Sequence, residues 1–200
     1  LSSNPYFQNY GLKAGPRKLI ETGRRLGLGE PTGINNGQET AGYFPNPDVV
    51  AKRFGGPWMA GDTLNLCIGQ GEIAVTPLQM AVMTAAIANG GTILQPRLVA
   101  RVESQDPQAG DEAVEFPARQ VRRQLNLNSN HLKLIQDAML DDVEYRDPAT
   151  GRWGTGHAAY LDQVMRVCGK TGTAQVEDEH GHPKGHIVWF VSFAPFDRPR

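Results

Sequence analysis

The chain has 200 residues, 40% of them hydrophobic and 20% charged, with a formal net charge of −1. That length suits one ordinary domain or a large piece of one, with apolar matter enough for a packed core, and it argues against global disorder. So small a net charge offers no strong field for nucleic acid or an acidic membrane surface, and no apolar run reaches the length that spans a bilayer.

The first 30 residues start polar and become helical. Pro16 suits a first helical turn, Leu19, Ile20 and Leu26 make an apolar stripe, and Gly27 and Gly29 end it. Residues 31–62 carry too much glycine and proline for regular structure, as in Pro31-Thr32-Gly33, Asn35-Asn36-Gly37 and Pro45-Asn46-Pro47, and read as an ordered surface excursion. The clearest helix runs from Pro77 to Asn89. Thr76 is its N-cap, Pro77 its first residue, Gln79 completes a capping box, and Gly90-Gly91 stops it. Its apolar residues lie nearly all round, which predicts burial in a core with Met80 and Met83 as packing.

A strand is expected around residues 96–102 and a polar loop over 103–118. A helix is expected over 129–143, with Leu132, Ile135, Met139 and Val143 on one face. Residues 147–156 read as turns. A strand covering 163–175 follows, then an acidic loop and a last strand over 186–194, which together make a hairpin. The expected fold class is α+β (mixed α/β), an antiparallel sheet covered by helices. The chain starts without methionine, and Asp197-Arg198-Pro199-Arg200 looks like a turn leaving a strand. One partial domain over 1–200 is therefore expected.

The stretch Cys168-Gly169-Lys170-Thr171-Gly172-Thr173-Ala174-Gln175 carries the chemistry. Gly-Lys-Thr ends a phosphate loop, but such a loop needs a glycine five residues before Gly169, and Val164 stands there. A glycine and two β-branched threonines after Lys170 also suit a strand better than the helix a phosphate loop runs into. The other reading is the Lys-Thr-Gly strand of serine acyl-transfer enzymes. Such an enzyme needs a serine beside a base, as in Ser-x-x-Lys. None of the five serines, Ser2, Ser3, Ser104, Ser129 and Ser192, has a lysine three residues later, and no Gly-x-Ser-x-Gly elbow occurs. Ser2-Ser3-Asn4 fits the Ser-x-Asn element, whose hydroxyl relays a proton and whose amide holds a carbonyl or a lysine. Its bland reading is a helix N-cap.

Other candidates read as structural. Cys67 and Cys168 are expected to be separate buried thiols. The alternative is a nucleophilic Cys168, on the same strand face as Lys170, whose ammonium lowers a nearby thiol's pKa. His180, His182 and His186 flank Glu177, Asp178 and Glu179, which suits zinc chemically but reads as a solvated hairpin tip. Arg119, Arg122 and Arg123 read as a solvated basic face, Gly69-Gln70-Gly71 as a tight backbone passage near the site, and Trp58 as packing.

Taken in order, the motifs resemble one family. They are Ser2-Ser3-Asn4, Pro31-Thr32-Gly33-Ile34, Gly42-Tyr43-Phe44-Pro45, Trp58 with Gly61-Asp62-Thr63, Ile68-Gly69-Gln70-Gly71, Thr76-Pro77-Leu78-Gln79-Met80-Ala81, Ala88-Asn89-Gly90-Gly91, Gly169 to Gln175, and Trp189 to Pro195. The chain resembles the transpeptidase domain of class B penicillin-binding proteins of the elongation type, over nearly all 200 residues and less so over 103–125. The resemblance implies the penicillin-binding, serine β-lactamase-like transpeptidase fold, lacking an upstream Ser-x-x-Lys helix and one or more downstream strands.

It further implies a peptidoglycan D,D-transpeptidase. Ser2 would relay a proton, Asn4 would bind the substrate amide and steady a lysine outside these residues, and Lys170 would supply positive charge. Thr171 and Thr173 would hold the substrate carboxylate, with Gly172 letting the substrate backbone approach. No cofactor is implied. Ser3 stands where some relatives are thought to carry a metal-binding cysteine, so no metal site is carried over. Implied partners are stem peptides, β-lactams, a glycosyltransferase and elongation-complex proteins. The implied location is the outer side of the cytoplasmic membrane. A β-lactamase, a β-lactam sensor and a non-catalytic assembly module are the alternatives. Against the β-lactamase stand the long span between the two motifs and the want of a Glu-x-x-Leu-Asn motif.

Overall fold

The computed structural model describes all residues except 1, 35–36, 50–55, 106–111, 163, 179–181 and 200. Two helices open the chain, α1 (Asn4–Ala14) and α2 (Pro16–Arg25), each with a proline in its first turn. A short helix α3 (Ala60–Leu66) begins at the end of the stretch expected to be irregular; Asp62 reaches back to the Met59 backbone N–H at 2.7 Å and starts it. Trp58 packs beside it and also donates its indole N–H to Thr63 Oγ1 at 2.8 Å.

Helix α4 (Pro77–Ala88) has the expected capping box. Thr76 Oγ1 accepts from the Gln79 N–H at 3.1 Å, and Gln79 Oε1 accepts from the Thr76 N–H at 2.8 Å. The Gln79 amide also donates to Glu30 O and Ala41 O, both at 2.8 Å, so the cap residue ties the preceding excursion to the helix. Burial all round does not follow. Ala86 is buried, Leu78, Met80, Val82, Met83 and Ile87 are half-buried, and Ala81 and Ala85 are exposed. The apolar composition reports how much the helix can bury, while the neighbours β1 (Thr92–Leu94) and β6 (Pro183–Phe193) cover only part of it.

Of the strand expected at 96–102 only β2 (Arg101–Val102) forms; β1 lies just before that span, and β3 (Val114–Glu115) lies in the stretch expected to be a loop. β1 pairs antiparallel with β4 (Val121–Gln124), and β2 pairs with β3. Pro96 has no N–H for a ladder and separates β1 from β2. Helix α5 (Ser129–Glu144) matches its expected span, with the Asn128 side chain capping it through the N–H groups of Asn130 and His131. Leu132, Met139, Leu140 and Val143 are buried, but Ile135 is 45% exposed.

The long ladder is β5 (Cys168–Glu177) with β6, running from Cys168↔Phe193 to Glu177↔Pro183. It starts five residues later than expected, because Leu161 and Met165 bridge to each other in a turn first. α5 packs on β5, and Met139, Leu140, Cys168 and Phe193 form one core cluster; Ala86, Ile93 and Leu125 form another. The three arginines are not a uniformly solvated face. Arg123 pairs with Glu30 at 2.9 Å and donates to Arg24 O and Arg25 O at 3.0 Å, while Arg122 donates to Thr32 O at 2.6 Å. Both guanidiniums fasten β4 to the end of α2 and the turn after it.

Candidate active site

A cavity of about 650 Å³ opens where the start of α1 meets the edge of β5. Ser2 and Asn4 line it from one end of the chain, and Lys170, Thr171, Gly172 and Thr173 line it from the other. Thr155, Gln70, Ile68 and Cys67 complete its walls with Phe7 and Val188. The packing of α1 on α3 brings Ser2 and Asn4 there, since the turn that leaves α3 carries Cys67 to Gln70. Ser3 does occupy the N-cap position of α1, but its side chain makes no capping hydrogen bond. Ser2 and Asn4 are exposed.

Two contacts fix the orientation of the strand. Gln70 Nε2 donates to Thr173 O at 3.3 Å, and Lys170 Nζ donates to Thr171 O at 2.7 Å. β6 occupies the opposite edge of β5. In an antiparallel strand the N–H and C=O of one residue face the same edge. The backbone N–H groups of Thr171 and Thr173 therefore point to the open edge and not into the ladder. Side chains alternate, so Thr171 and Thr173 share one face of the strand and Lys170 and Gly172 the other. An ammonium, two hydroxyls and outward amide donors along one edge suit an anionic ligand with an adjoining carbonyl.

A line of hydroxyls runs inward from this edge. Lys170 Nζ lies 3.4 Å from Thr171 Oγ1, Thr171 Oγ1 lies 2.5 Å from Thr155 Oγ1, and the Thr155 hydroxyl donates to Asp142 Oδ1 at 2.8 Å. Asp142 is only 3% exposed, and its second oxygen, Oδ2, has no partner among the described residues. The Gly154-Thr155-Gly156 stretch is moulded onto this part of α5. A Cβ on Gly154 would stand 2.2 Å from Asp142 O, and one on Gly156 would stand 2.8 Å from Asp142 Oδ2. Gly156 N–H donates to Asp142 O at 2.9 Å.

The cysteines divide. Cys168 is 0% exposed, and burial, with Glu144 nearby, pushes its thiol up to about 12, which removes it as a nucleophile at neutral pH. Cys67 is half-buried, not buried as expected; it lines the cavity, and burial raises its thiol too. Of the histidine cluster, His180 and Glu179 lie outside the described residues. The His182 ring lies 3.3 Å from Asp178 Oδ2, His186 is exposed, and no group of three metal-ligating side chains occurs among the described residues.

Sequence reasoning brought Ser2, Asn4, Lys170, Thr171, Gly172 and Thr173 to one place. It missed Thr155 altogether, and it read Gln70 as part of a structural passage when its amide reaches the strand. The signal for Thr155 was present in the two glycines that bracket it, which have no side chain to hold it off a neighbour.

A model of the penicillin-binding protein transpeptidase domain matches residues 1–200. The chain is 31% identical over 209 residues to peptidoglycan D,D-transpeptidase MrdA of Haemophilus influenzae, covering all of this chain and 30% of that protein. It therefore spans about 30% of the length of that relative. Among solved structures it is similar to a complex between penicillin-binding protein 2 and MreC from Helicobacter pylori, with a TM-score of 0.74 and 29% identity over 98% of this chain and 32% of that one. It is also similar to penicillin-binding protein 3 of Mycobacterium tuberculosis complexed with aztreonam, with a TM-score of 0.80 and 29% identity over 99% of this chain and 41% of that one.

Proposed function

The chain belongs to the penicillin-binding protein transpeptidase family, and from that premise we propose that these residues supply two of the catalytic elements of an elongation-type peptidoglycan D,D-transpeptidase. One observation carries the reading: Ser2, Asn4, Lys170 and Thr173 line a single cavity although almost the whole chain separates them.

In this reading a serine of a Ser-x-x-Lys helix, outside these 200 residues, attacks the penultimate D-alanine carbonyl of a stem peptide. An ester forms and the terminal D-alanine leaves as an amine that must gain a proton. Ser2 stands at the cavity to relay that proton, and the Asn4 amide can hold the substrate amide. The amine of a second stem peptide then attacks the ester, forms the cross-link and frees the serine. The terminal carboxylate sits against the Lys170 ammonium and a threonine hydroxyl. The outward N–H of Thr173 is the oxyanion donor from this chain, a contribution commonly worth about 3–4 kcal/mol. Gly172 leaves the edge free of a side chain where the substrate backbone lies.

Penicillins carry a strained amide and a carboxylate placed like those of the D-alanyl-D-alanine end, so the same cradle accepts them. The proposed location is the outer face of the cytoplasmic membrane; no helix among the described residues is long and apolar enough to cross a membrane. The proposed partners are a glycosyltransferase and other elongation proteins, in keeping with the complex that the H. pylori relative forms with MreC.

The test is covalent labelling of the full-length gene product by a fluorescent penicillin. A label that survives denaturing electrophoresis is expected. Lys170→Ala should slow labelling by about 10²–10³-fold, the scale of one lost electrostatic contact to the reacting group. A full-length protein that takes no label would overturn the proposal.

A further inference from the structure

The hydroxyls of Thr171 and Thr173 look equivalent along the strand, yet their surroundings differ. Thr155 has one hydroxyl proton and donates it to Asp142 Oδ1 at 2.8 Å. That bond commits the proton inward, and Thr155 has no second one to give. The 2.5 Å contact between Thr155 and Thr171 must then be made by the other proton, that of Thr171. The Thr171 oxygen is left with lone pairs toward Lys170 Nζ, 3.4 Å away. All donors in this line therefore run from Lys170 toward the buried carboxylate. The Thr173 hydroxyl also lines the cavity and has no hydrogen-bond partner among the described residues.

We propose that Asp142, acting through Thr155, draws the Thr171 proton away from the cavity and leaves Thr173 as the hydroxyl that binds the substrate carboxylate. Asp142 and Thr155 are then positioning residues that set how strongly the site prefers a carboxylate-bearing ligand. The fit of the brace supports this. The backbone at Gly154 and Gly156 closes on Asp142 with no room for a Cβ, so the Thr155 backbone is held against Asp142. Asp142 has no cationic partner among the described residues and lies two hydrogen bonds from the anion cradle. The inference rests on the transpeptidase reading and deepens it.

The experiment compares acylation of the full-length gene product by a penicillin and by the same penicillin as its methyl ester. The ratio of the two second-order rate constants is the carboxylate preference. Thr155→Val frees the Thr171 proton for the ligand and should raise the ratio about three- to ten-fold, the size of one neutral hydrogen bond. Asp142→Asn should move the ratio the same way, and Thr155→Ser should keep the wild-type value. Thr173→Val should lower it about three- to ten-fold, and Thr171→Val should change it less than about two-fold. Damage to the loop would slow both compounds and cannot raise the preference.

An unchanged or lowered ratio in T155V and D142N overturns the inference, as does a T171V effect as large as that of T173V. The last pair decides the matter if T155V does not fold, which thermal unfolding of each variant reports. An unmodified protein that neither compound acylates overturns the functional reading itself, whereas a labelled protein with an unmoved ratio overturns this inference alone.

Discussion

The two ends of the β5–β6 hairpin share one ladder and differ in what stands behind them. At the base, Cys168 and Phe193 are buried against Met139 and Leu140 of α5, and the Gly154–Gly156 loop braces Thr171 from the side. At the tip, His182, Lys184 and His186 are exposed. The cavity residues Lys170 to Thr173 lie just past the braced end, where the strand is still held but its edge is open. A polar strand edge can act as a template for a ligand only if the strand does not yield, and ladder hydrogen bonds alone do not hold it. The brace is what separates a binding edge from an ordinary hairpin.

A pair of glycine substitutions tests this most strongly. Gly154→Ala places a Cβ 2.2 Å from Asp142 O, a backbone atom that cannot swing aside. It should destabilise the full-length protein by about 1–3 kcal/mol, as forced overpacking does, and should slow penicillin acylation by displacing Thr155. Gly185→Ala, toward the tip, meets nothing within 4 Å. Its effect should stay within about ±0.5 kcal/mol, as for other surface changes. Denaturant unfolding of the two variants reads the contrast, and equal losses would mean that base and tip are held alike.

How legible this was in the sequence depends on how local each signal is. The α4 cap could be read because Thr76, Pro77 and Gln79 lie within one turn and satisfy the same orphan N–H groups. α5 could be read from its apolar spacing and the hairpin from its two β-branched runs. The family resemblance brought Ser2 and Lys170 together; spacing alone could not, because their meeting depends on the packing of α1 against α3. β4 escaped because Arg122 and Arg123 look like solvent-facing charges, when each finds a carboxylate or carbonyl on a distant turn. Asp142 and Thr155 escaped because a polar residue on a helix reads as exposed until the glycine loop that covers it is in place.

The thiols give the next contrast, inside the base itself. Only the thiolate is alkylated. With its thiol pushed up to about 12 by burial, Cys168 is ionised in roughly one molecule in ten thousand at pH 8, and it is 0% exposed. Cys67 is also raised by burial but is half-exposed and lines the cavity. Alkylation of the native protein at pH 8, followed by peptide mass mapping, should find Cys67 modified first and Cys168 only after unfolding. Equal rates would show that the core behind β5 opens readily, and the brace would lose its meaning.

The smallest effect lies at the outer margin of the brace. Asp147 follows α5 and organises the turn that returns the chain to Gly154. Its Oδ1 accepts from Ala149 N–H at 2.8 Å and its Oδ2 from the Thr150 hydroxyl at 2.7 Å. The Thr150 hydroxyl first, then the Ala149 N–H, holds this carboxyl below its ordinary value of 3.8. A carboxyl depressed in the folded state adds stability that is fully present above its unfolded value and is lost as pH falls through the folded one. Asp147→Asn should therefore lower the unfolding temperature slightly at pH 5–7, and the gap to wild type should close as pH drops below 3.8. Because the group is only partly buried, salt and solvent screen it, and the gap should be smaller than any effect of Gly154→Ala. A gap that persists unchanged at pH 2 would assign the loss to the shape of the turn and not to the charge of Asp147, and the brace would then end in packing rather than in a hydrogen-bonded carboxylate.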